Sequence, residues 1–290
     1  MFAVFPTLLT LGNAACGFGA ITFAAKVGPD PAGEHDLFLS AMLIFLAMLF
    51  DMLDGSVARW AKQTSEFGAQ LDSLCDAVSF GVAPAFLMLR IIHSLESAAD
   101  TSGIVLGVHS PTFPPFFTYW SRLLWVIGAL FALCALLRLA RFNVETDEDD
   151  SHNYFSGLPS PAAAATVASF PIALNALRER TSGSDGTAQN IAEWLIPVIH
   201  LALPLITLAV AILMVSRFKY AHVFNQVRGQ RGRLHLIQII LVLFTVFLLR
   251  EAMPLIFCVF AFTPPAKSAW REITGRRLYT PSEPEPPVRI

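Results

Sequence analysis

The sequence predicts an all-α membrane protein, a polytopic bundle of six core transmembrane helices followed by two short C-terminal ones. Composition is the first observation: 54% of the 290 residues are hydrophobic and only 14% are charged, whereas about a quarter of the residues of a soluble domain are charged. The second observation is a series of apolar stretches that reach the roughly 20 residues a helix needs to cross a bilayer. The net charge of −2 gives no indication of a nucleic-acid partner.

The predicted spans follow one another in order from the N-terminus. They cover residues 5–25, 36–60, 69–91, 118–142, 158–177 and 192–216. Residues 234–263 are also apolar, but Arg250-Glu251 and Pro254 interrupt them, which favours two short spans, with a single kinked helix as the alternative. We therefore expect a membrane domain over residues 1–263 and a cytoplasmic, largely disordered tail over residues 264–290, which ends in a proline-rich stretch.

The basic residues predict how the bundle is oriented. With the N-terminus in the cytoplasm, most of the Lys and Arg residues fall in cytoplasmic segments, as the positive-inside rule requires. This orientation places the turn between the second and third spans on the cytoplasmic side of the cell membrane.

Four aspartates stand near that turn, in a part of the chain that is otherwise apolar. Asp51 and Asp54 are three residues apart on the second span, and Asp72 and Asp76 are four apart on the third. Both spacings place the paired side chains on one helical face. Because the segment between the spans is short and polar, a helical hairpin would bring all four carboxylates together at one membrane depth.

Clustered carboxylates in a medium of low dielectric constant need a compensating charge. Oxygen ligands suit Mg²⁺ or Mn²⁺, and two such ions roughly 3.5–4 Å apart form the clamp used in phosphoryl transfer. Gly55 and Gly68 would allow a bulky ligand to approach the backbone, and Arg59 is placed to grip a phosphate. The alternative is a purely structural polar cluster between helices.

The spacing of this segment resembles that of a known family, the CDP-alcohol phosphatidyltransferases. Their motif, D-x2-D-G-x2-A-R-x8-G-x3-D-x3-D, is matched at every defined position: Asp51, Asp54, Gly55, Ala58, Arg59, Gly68, Asp72 and Asp76. The resemblance implies two metal ions held by Asp51, Asp54 and Asp72. It also implies that Asp76 is the general base and touches a metal ion.

The same resemblance implies where the nucleotide binds. Arg59 would neutralise the diphosphate, and Gly55, Ala58 and Gly68 would make room for the cytidine nucleotide. Asn13, a polar residue in the middle of the first span, has two interpretations: it lines the nucleotide pocket, or it packs helices together.

Arg138, Arg141 and Asn143 lie at the cytoplasmic end of the fourth span. The two arginines, three residues apart, share a helical face. They either extend to lipid headgroups, as arginines at helix ends often do, or point inward and bind a phosphate or a substrate carboxylate. Asn143 is a candidate polar contact for the same acceptor.

Three further stretches narrow the resemblance to the membrane-type phosphatidylserine synthases within the family. They are a T-x-x-N-x-x-C-G pattern ending at Gly17, the Arg138-to-Asn143 stretch R-L-A-R-F-N, and a G-L-P-x-P-A-A pattern beginning at Gly157. This resemblance implies CDP-diacylglycerol and L-serine as substrates, phosphatidylserine and CMP as products, and a homodimer.

Two alternatives stay open. Within the family, the acceptor could be another alcohol, such as glycerol 3-phosphate or inositol phosphate, because Arg138 and Arg141 suit a phosphate as well as a carboxylate. In a different class, a divalent-cation transporter would use the acidic cluster as its translocation site. The sequence shows no clear inverted repeat of the kind transporters often carry, and Arg59 beside the cluster would repel a cation.

Overall fold

A computed structural model of the chain describes residues 4–26, 32–61, 66–102, 115–145, 154–181, 186–216, 219–221 and 250–273. The described ranges contain the following α-helices: α1 (Val4–Ala25), α2 (Ala32–Ala61), α3 (Glu66–Asp76), α4 (Ala83–Ser102), α5 (Pro115–Glu145), α6 (Ser160–Thr181), α7 (Gly186–Val215) and α8 (Met253–Ile273). A π-helical turn, Ala77–Val82, joins α3 to α4 without a break. Two short strands, β1 (Tyr154–Ser156) and β2 (Lys219–Ala221), and a single 3-10 turn (Arg250–Ala252) directly before α8 complete the elements of these ranges.

Within the described part of the chain, six helical segments are long and apolar enough to cross a membrane. They are Thr7–Ala25, His35–Gly55, Phe67–Leu95, Arg122–Val144, Ser160–Glu179 and Val198–Val215. Each overlaps one of the six predicted spans, so the prediction of an all-α, multi-pass membrane bundle is confirmed. Several helices run past the predicted limits, because polar turns continue the backbone hydrogen bonding after the apolar stretch ends.

The C-terminal region is described only in part. Residues 222–249 lie outside the described residues, so the choice between two short spans and one kinked helix stays a prediction. The helix α8 begins at Met253-Pro254, where a proline fits because the first turn of a helix needs no N–H donor. It continues to Ile273, past the boundary expected at residue 263, and residues 274–290 lie outside the described residues.

Small residues at the helix interfaces let the bundle pack closely. Ala20 and Ala24 of α1 and Ala41 of α2 are fully buried, and the Ser40 hydroxyl donates to the Ala20 carbonyl oxygen at 2.7 Å. Such residues bring helix backbones together where hydrophobicity alone gives no preference between helix and lipid. The helix α6 is buried all round over residues 163–172, and it forms the centre of the bundle.

A two-stranded ribbon joins the start of α6 to the end of α7. The strands β1 and β2 pair antiparallel, with Tyr154 opposite Ala221 and Ser156 opposite Lys219. Gly157 follows β1 with φ +86°, and a side chain there would begin 2.3 Å from the Met214 carbonyl oxygen. The sequence did not predict this ribbon, which adds a small element to the helical fold.

Candidate active site

Three of the four motif aspartates meet at one end of the bundle. Asp51 comes from α2, and Asp72 and Asp76 come from α3. One carboxylate oxygen of each lies within 4.8 Å of the others. Asp76 is buried and the other two are half-buried. The helical hairpin thus brings these carboxylates together as their spacing predicts, and the group could hold a metal ion.

Asp54 lies beside this group but faces α1 more directly. It is only 5% exposed, and the Thr10 hydroxyl of α1 lies within hydrogen-bonding reach of its carboxylate. Asp54 is also close enough to Asp72 for the two charges to interact. The structure therefore places Asp54 at the edge of the cluster, next to the first span.

Within the part of the chain that the structure describes, two carboxylate oxygens of the site have no hydrogen-bond donor. Among the described residues, neither Asp54 Oδ2 nor Asp72 Oδ1 has a partner, although both atoms are buried. Buried acceptors without partners are costly, and a bound cation would satisfy them. The donor set consists of carboxylate oxygens, which are the ligands of hard divalent cations. The residues present therefore fit such an ion.

Asn13 contacts the most buried aspartate of the trio. Its side-chain Nδ2 donates to Asp76 Oδ1 at 2.9 Å, and Asn13 itself is completely buried. The main-chain oxygen of Asn13 accepts a hydrogen bond of 2.9 Å from the Ser79 hydroxyl, one turn beyond Asp76. The first span is therefore part of the site, as either interpretation of Asn13 requires.

Close packing of α1 against the π-helical turn makes these contacts possible. A Cβ atom at Gly17 would lie 2.7 Å from Ser79 Cα, a distance that no real side chain tolerates. Only glycine permits this approach of the two backbones. The π-helical turn starts directly after Asp76, and such turns are frequent at functional sites.

Arg138 lies between the carboxylates and α6. Its Nη1 donates to the Ser160 hydroxyl at 2.9 Å, and its guanidinium is close enough to Asp76 to interact with that charge. Its Nε is buried and has no hydrogen-bond partner within the part of the chain that the structure describes. Arg138 thus reaches inward, which the substrate-binding interpretation requires. Arg141 is half-buried on the same face of α5.

Asn143 contacts the segment that carries the aspartates. Its amide group lies 3.0 Å (Nδ2) and 3.1 Å (Oδ1) from the Ser73 hydroxyl, and Ser73 is the neighbour of Asp72. The end of α5 is in this way attached to α3. This contact places Asn143 beside the site, where it bonds to Ser73 and links α5 to α3.

The remaining motif residues are described by their backbone. Gly55 and Gly68 are half-buried near the facing ends of α2 and α3. Ala58 and Arg59 belong to the last turns of α2, but their side chains lie outside the described residues. Their roles in nucleotide binding stay predictions.

Sequence motifs mark one hydroxyl residue of the site, Thr10, which is the first position of the T-x-x-N-x-x-C-G pattern, but they gave no role to Ser73, Ser79 or Ser160. Thr10, Ser73, Ser79 and Ser160 each contact a residue that the motifs did single out. Ser160 occupies the variable position of the G-L-P-x-P-A-A pattern. Serine is common in membrane helices, so only the packing of the helices distinguishes the three serines.

Comparison with known proteins identifies the family that the aspartate motif resembles. The family model for CDP-alcohol phosphatidyltransferase matches residues 3–206, which is more than half of the chain and includes the whole aspartate cluster.

Curated relatives are similar over a shorter range. The archaetidylserine synthase of Methanothermobacter thermautotrophicus is 36% identical over 171 residues, which cover 58% of this chain and 58% of the relative. The CDP-diacylglycerol–serine O-phosphatidyltransferase of Mycobacterium tuberculosis is 32% identical over 168 residues, which cover 57% of this chain and 47% of the relative. The protein of that name from Helicobacter pylori is 31% identical over 164 residues, which cover 57% of this chain and 55% of the relative. The chain spans about half the length of the curated relatives it matches. With the family model covering most of its helical bundle, the chain belongs to the CDP-alcohol phosphatidyltransferase family.

Proposed function

We propose that this protein transfers a phosphatidyl group from CDP-diacylglycerol to L-serine, giving phosphatidylserine and CMP. The observation that carries the proposal is the meeting of Asp51, Asp72 and Asp76, with one carboxylate oxygen of each within 4.8 Å of the others. A cluster of this kind, in a chain of this family, is suited to a diphosphate substrate. The names of the curated relatives, which are serine phosphatidyltransferases and an archaetidylserine synthase, support serine as the acceptor.

We assign the metal ions to the aspartates. Asp51, Asp54 and Asp72 would hold two divalent ions, Mg²⁺ or Mn²⁺, and Asp76, which belongs to the same group, would also touch one of them. Bound there, the ions would neutralise the charge that develops on the phosphate oxygens during transfer. The buried oxygens of Asp54 and Asp72 that have no partner among the described residues support this assignment.

The reaction itself needs a base and a fixed acceptor. A serine hydroxyl is a poor nucleophile until its proton is removed, and we assign that step to the Asp76 carboxylate. The serine oxygen then bonds to the phosphatidyl phosphorus as the bond from that phosphorus to the bridging oxygen breaks. CMP leaves with the bridging oxygen, and the proton stays on Asp76 until solvent takes it.

The other residues bind the two substrates. Arg138 and Arg141 would bind the serine carboxylate, with Asn143 as a nearby polar contact. Arg59 would grip the diphosphate of CDP-diacylglycerol, and Gly55, Ala58 and Gly68 would leave room for the cytidine nucleotide. The acyl chains would stay in the bilayer, which gives a physical reason for this chemistry to take place on a bundle of membrane spans.

The location and assembly of the enzyme are also part of the proposal. We place it in the cell membrane with the aspartate cluster facing the cytoplasm, where nucleotides are abundant. We expect a homodimer, which light scattering of the purified protein in detergent would test.

An acceptor panel tests the proposal. The purified protein would receive radiolabelled CDP-diacylglycerol with serine, glycerol 3-phosphate or inositol phosphate, and the labelled phospholipid would be identified. We expect phosphatidylserine from serine and little product from the two phosphates. If the labelled phospholipid formed mainly with glycerol 3-phosphate or inositol phosphate, that alcohol would be the acceptor instead of serine. Cation uptake into vesicles without any CMP release would favour the transporter instead.

A further inference from the structure

We infer that Asn13 is a positioning residue, which holds the Asp76 carboxylate in the orientation needed to accept the acceptor's proton. The inference rests on the proposed function, because it takes Asp76 as the base. It gives Asn13 a role different from nucleotide binding or from helix packing alone, the two interpretations that its sequence position allows.

The first support is the contact between the two side chains. Asn13 Nδ2 donates to Asp76 Oδ1 at 2.9 Å, and both residues are buried, Asn13 completely. A hydrogen bond to one carboxylate oxygen restricts rotation of the group, so the second oxygen keeps one direction. A base that is held in this way does not have to be oriented again in each turnover.

The second support is that Asn13 is itself held in place. Its main-chain oxygen accepts a hydrogen bond from the Ser79 hydroxyl at 2.9 Å. One turn further along α1, Gly17 lies so close to Ser79 that a Cβ atom would be 2.7 Å from Ser79 Cα. Ser79 is on the turn that follows Asp76, so the donor and the base are fixed to each other through two separate contacts. Supporting contacts of this kind hold functional groups within a few tenths of an ångström.

The competing roles predict different kinetics. Asn13 Oδ1 has no hydrogen-bond partner among the described residues, so a nucleotide contact through that atom would appear as a weaker affinity for CDP-diacylglycerol. A packing role would appear as a loss of stability with normal turnover of the folded enzyme. A positioning role lowers kcat while both affinities stay near those of the parent protein.

The test compares Asn13→Leu and Asn13→Ala with the parent protein. Leucine keeps the branched shape of asparagine and suits a membrane helix, but it has no donor. We expect kcat to fall about 10- to 100-fold in both variants, with KM for serine and for CDP-diacylglycerol within about threefold of the parent. Ser40→Ala is the matched control, because it removes another buried hydrogen bond of the first two spans, to Ala20, at a distance from the aspartates. It should lower thermal stability without lowering kcat.

Ser79→Ala provides a milder variant in case the Asn13 variants fail to fold. It removes only the bond to the Asn13 main-chain oxygen, and we expect a smaller fall in kcat, about three- to tenfold. If kcat stayed at the parent value in Asn13→Leu and fell only in Asn13→Ala, the shape of the side chain and not its hydrogen bond would matter. That result would overturn the inference. So would unchanged kcat in Ser79→Ala and Asn13→Leu, or a rise confined to KM for CDP-diacylglycerol. Failure of the proposed function is a separate result, because the parent protein would then form no phosphatidylserine.

Discussion

At the scale of single residues, the four motif aspartates differ in their surroundings. Asp76 accepts a hydrogen bond from Asn13, and Asp54 lies against Thr10 of α1. Asp51 is half-buried on α2 and faces the two aspartates of α3. These differences agree with the roles proposed above, in which Asp76 removes the proton of the serine hydroxyl and Asp51, Asp54 and Asp72 hold the cations.

The first prediction concerns Asp51 as a metal ligand. Asp51→Asn should raise the Mg²⁺ or Mn²⁺ concentration for half-maximal activity on the order of 100-fold, since even indirect partners of a metal contribute 10- to 100-fold. CDP binding should weaken with it, because the bound ion is the largest positive charge near the diphosphate. Asp36→Asn, at the other end of the same helix, is the control and should change neither. Metal and nucleotide affinities equal to those of the parent would remove Asp51 from the metal site.

The second prediction concerns the arginines of α5. Arg141→Lys keeps the charge but loses the planar fork that binds a carboxylate through two hydrogen bonds. Losing a charged contact is worth roughly 1.5–3 kcal/mol, or about a 10- to 150-fold rise in KM for serine. KM for CDP-diacylglycerol should change little. The control is Arg122→Lys, an exposed position nearer the other end of α5.

KM for both substrates is also measured for Arg138→Lys, a substitution that additionally removes the hydrogen bond from Arg138 to Ser160. If lysine substituted freely at both positions, neither arginine would bind the serine carboxylate, and Arg141 would be assigned to the lipid headgroups instead. A rise confined to KM for CDP-diacylglycerol would move them to the nucleotide site.

At this scale the sequence predicted the carboxylates but not their partners. Helical periodicity requires Asp72 and Asp76 to share a face, and the few residues between α2 and α3 in the sequence keep Asp51 of α2 near them. The bond from Asn13 to Asp76 depends on how α1 is rotated and how far it is inserted between its neighbours. Those quantities come from tertiary packing, so the sequence left Asn13 with two interpretations.

At the scale of elements, the contact between α1 and the π-helical turn positions the site. The turn Ala77–Val82 displaces the chain after Asp76 and presents Ser79 to Gly17 and Asn13. A π-helical turn has no reliable sequence pattern, and we expected an ordinary helix over 69–91. The helix itself was predicted correctly, and its irregular turn was not.

The third prediction tests this contact. Gly17→Ala places a Cβ atom 2.7 Å from Ser79 Cα, so α1 must move, at a cost of about 1–3 kcal/mol. The variant should unfold at lower denaturant concentration and turn over more slowly. Gly12→Ala on the same helix is the control, since its Cβ atom would lie 3.6 Å from the Phe50 ring, an ordinary contact. Equal stability of the two variants would contradict the close packing of α1.

At the scale of the whole molecule, the functional residues gather at one end of the bundle. Lys26, at the end of α1, lies at the opposite end, because α1 and α2 run antiparallel with Ala20 beside Ser40. Val144 lies at the aspartate end, next to Asn143 and its bond to Ser73. The spans were predictable from hydropathy at this scale. Which face each helix turns inward was not, because apolar residues cover both the lipid-facing and the buried faces.

The fourth prediction tests the orientation of the bundle. A cysteine replacing Lys26 should react with a membrane-impermeant maleimide in intact cells, and a cysteine replacing Val144 should react only after permeabilisation. Both positions are exposed, so accessibility is decided by the side of the membrane. The parent protein is the control for background labelling, because Cys16, Cys75 and Cys134 are buried but Cys258 is partly exposed. The reverse pattern would place the aspartates outside the cytoplasm.

The product balance of the purified protein in lipid vesicles tests whether this protein transfers a phosphatidyl group to serine. With CDP-diacylglycerol, serine and Mg²⁺ or Mn²⁺, we expect phosphatidylserine and CMP in equal amounts. Asp76→Asn should slow both about 10²- to 10⁴-fold, the usual effect of losing a general base, while CDP-diacylglycerol still binds. Absence of serine-dependent CMP release by the parent protein would contradict phosphatidyl transfer to serine, and turnover of Asp76→Asn at the parent rate would contradict Asp76 as the base.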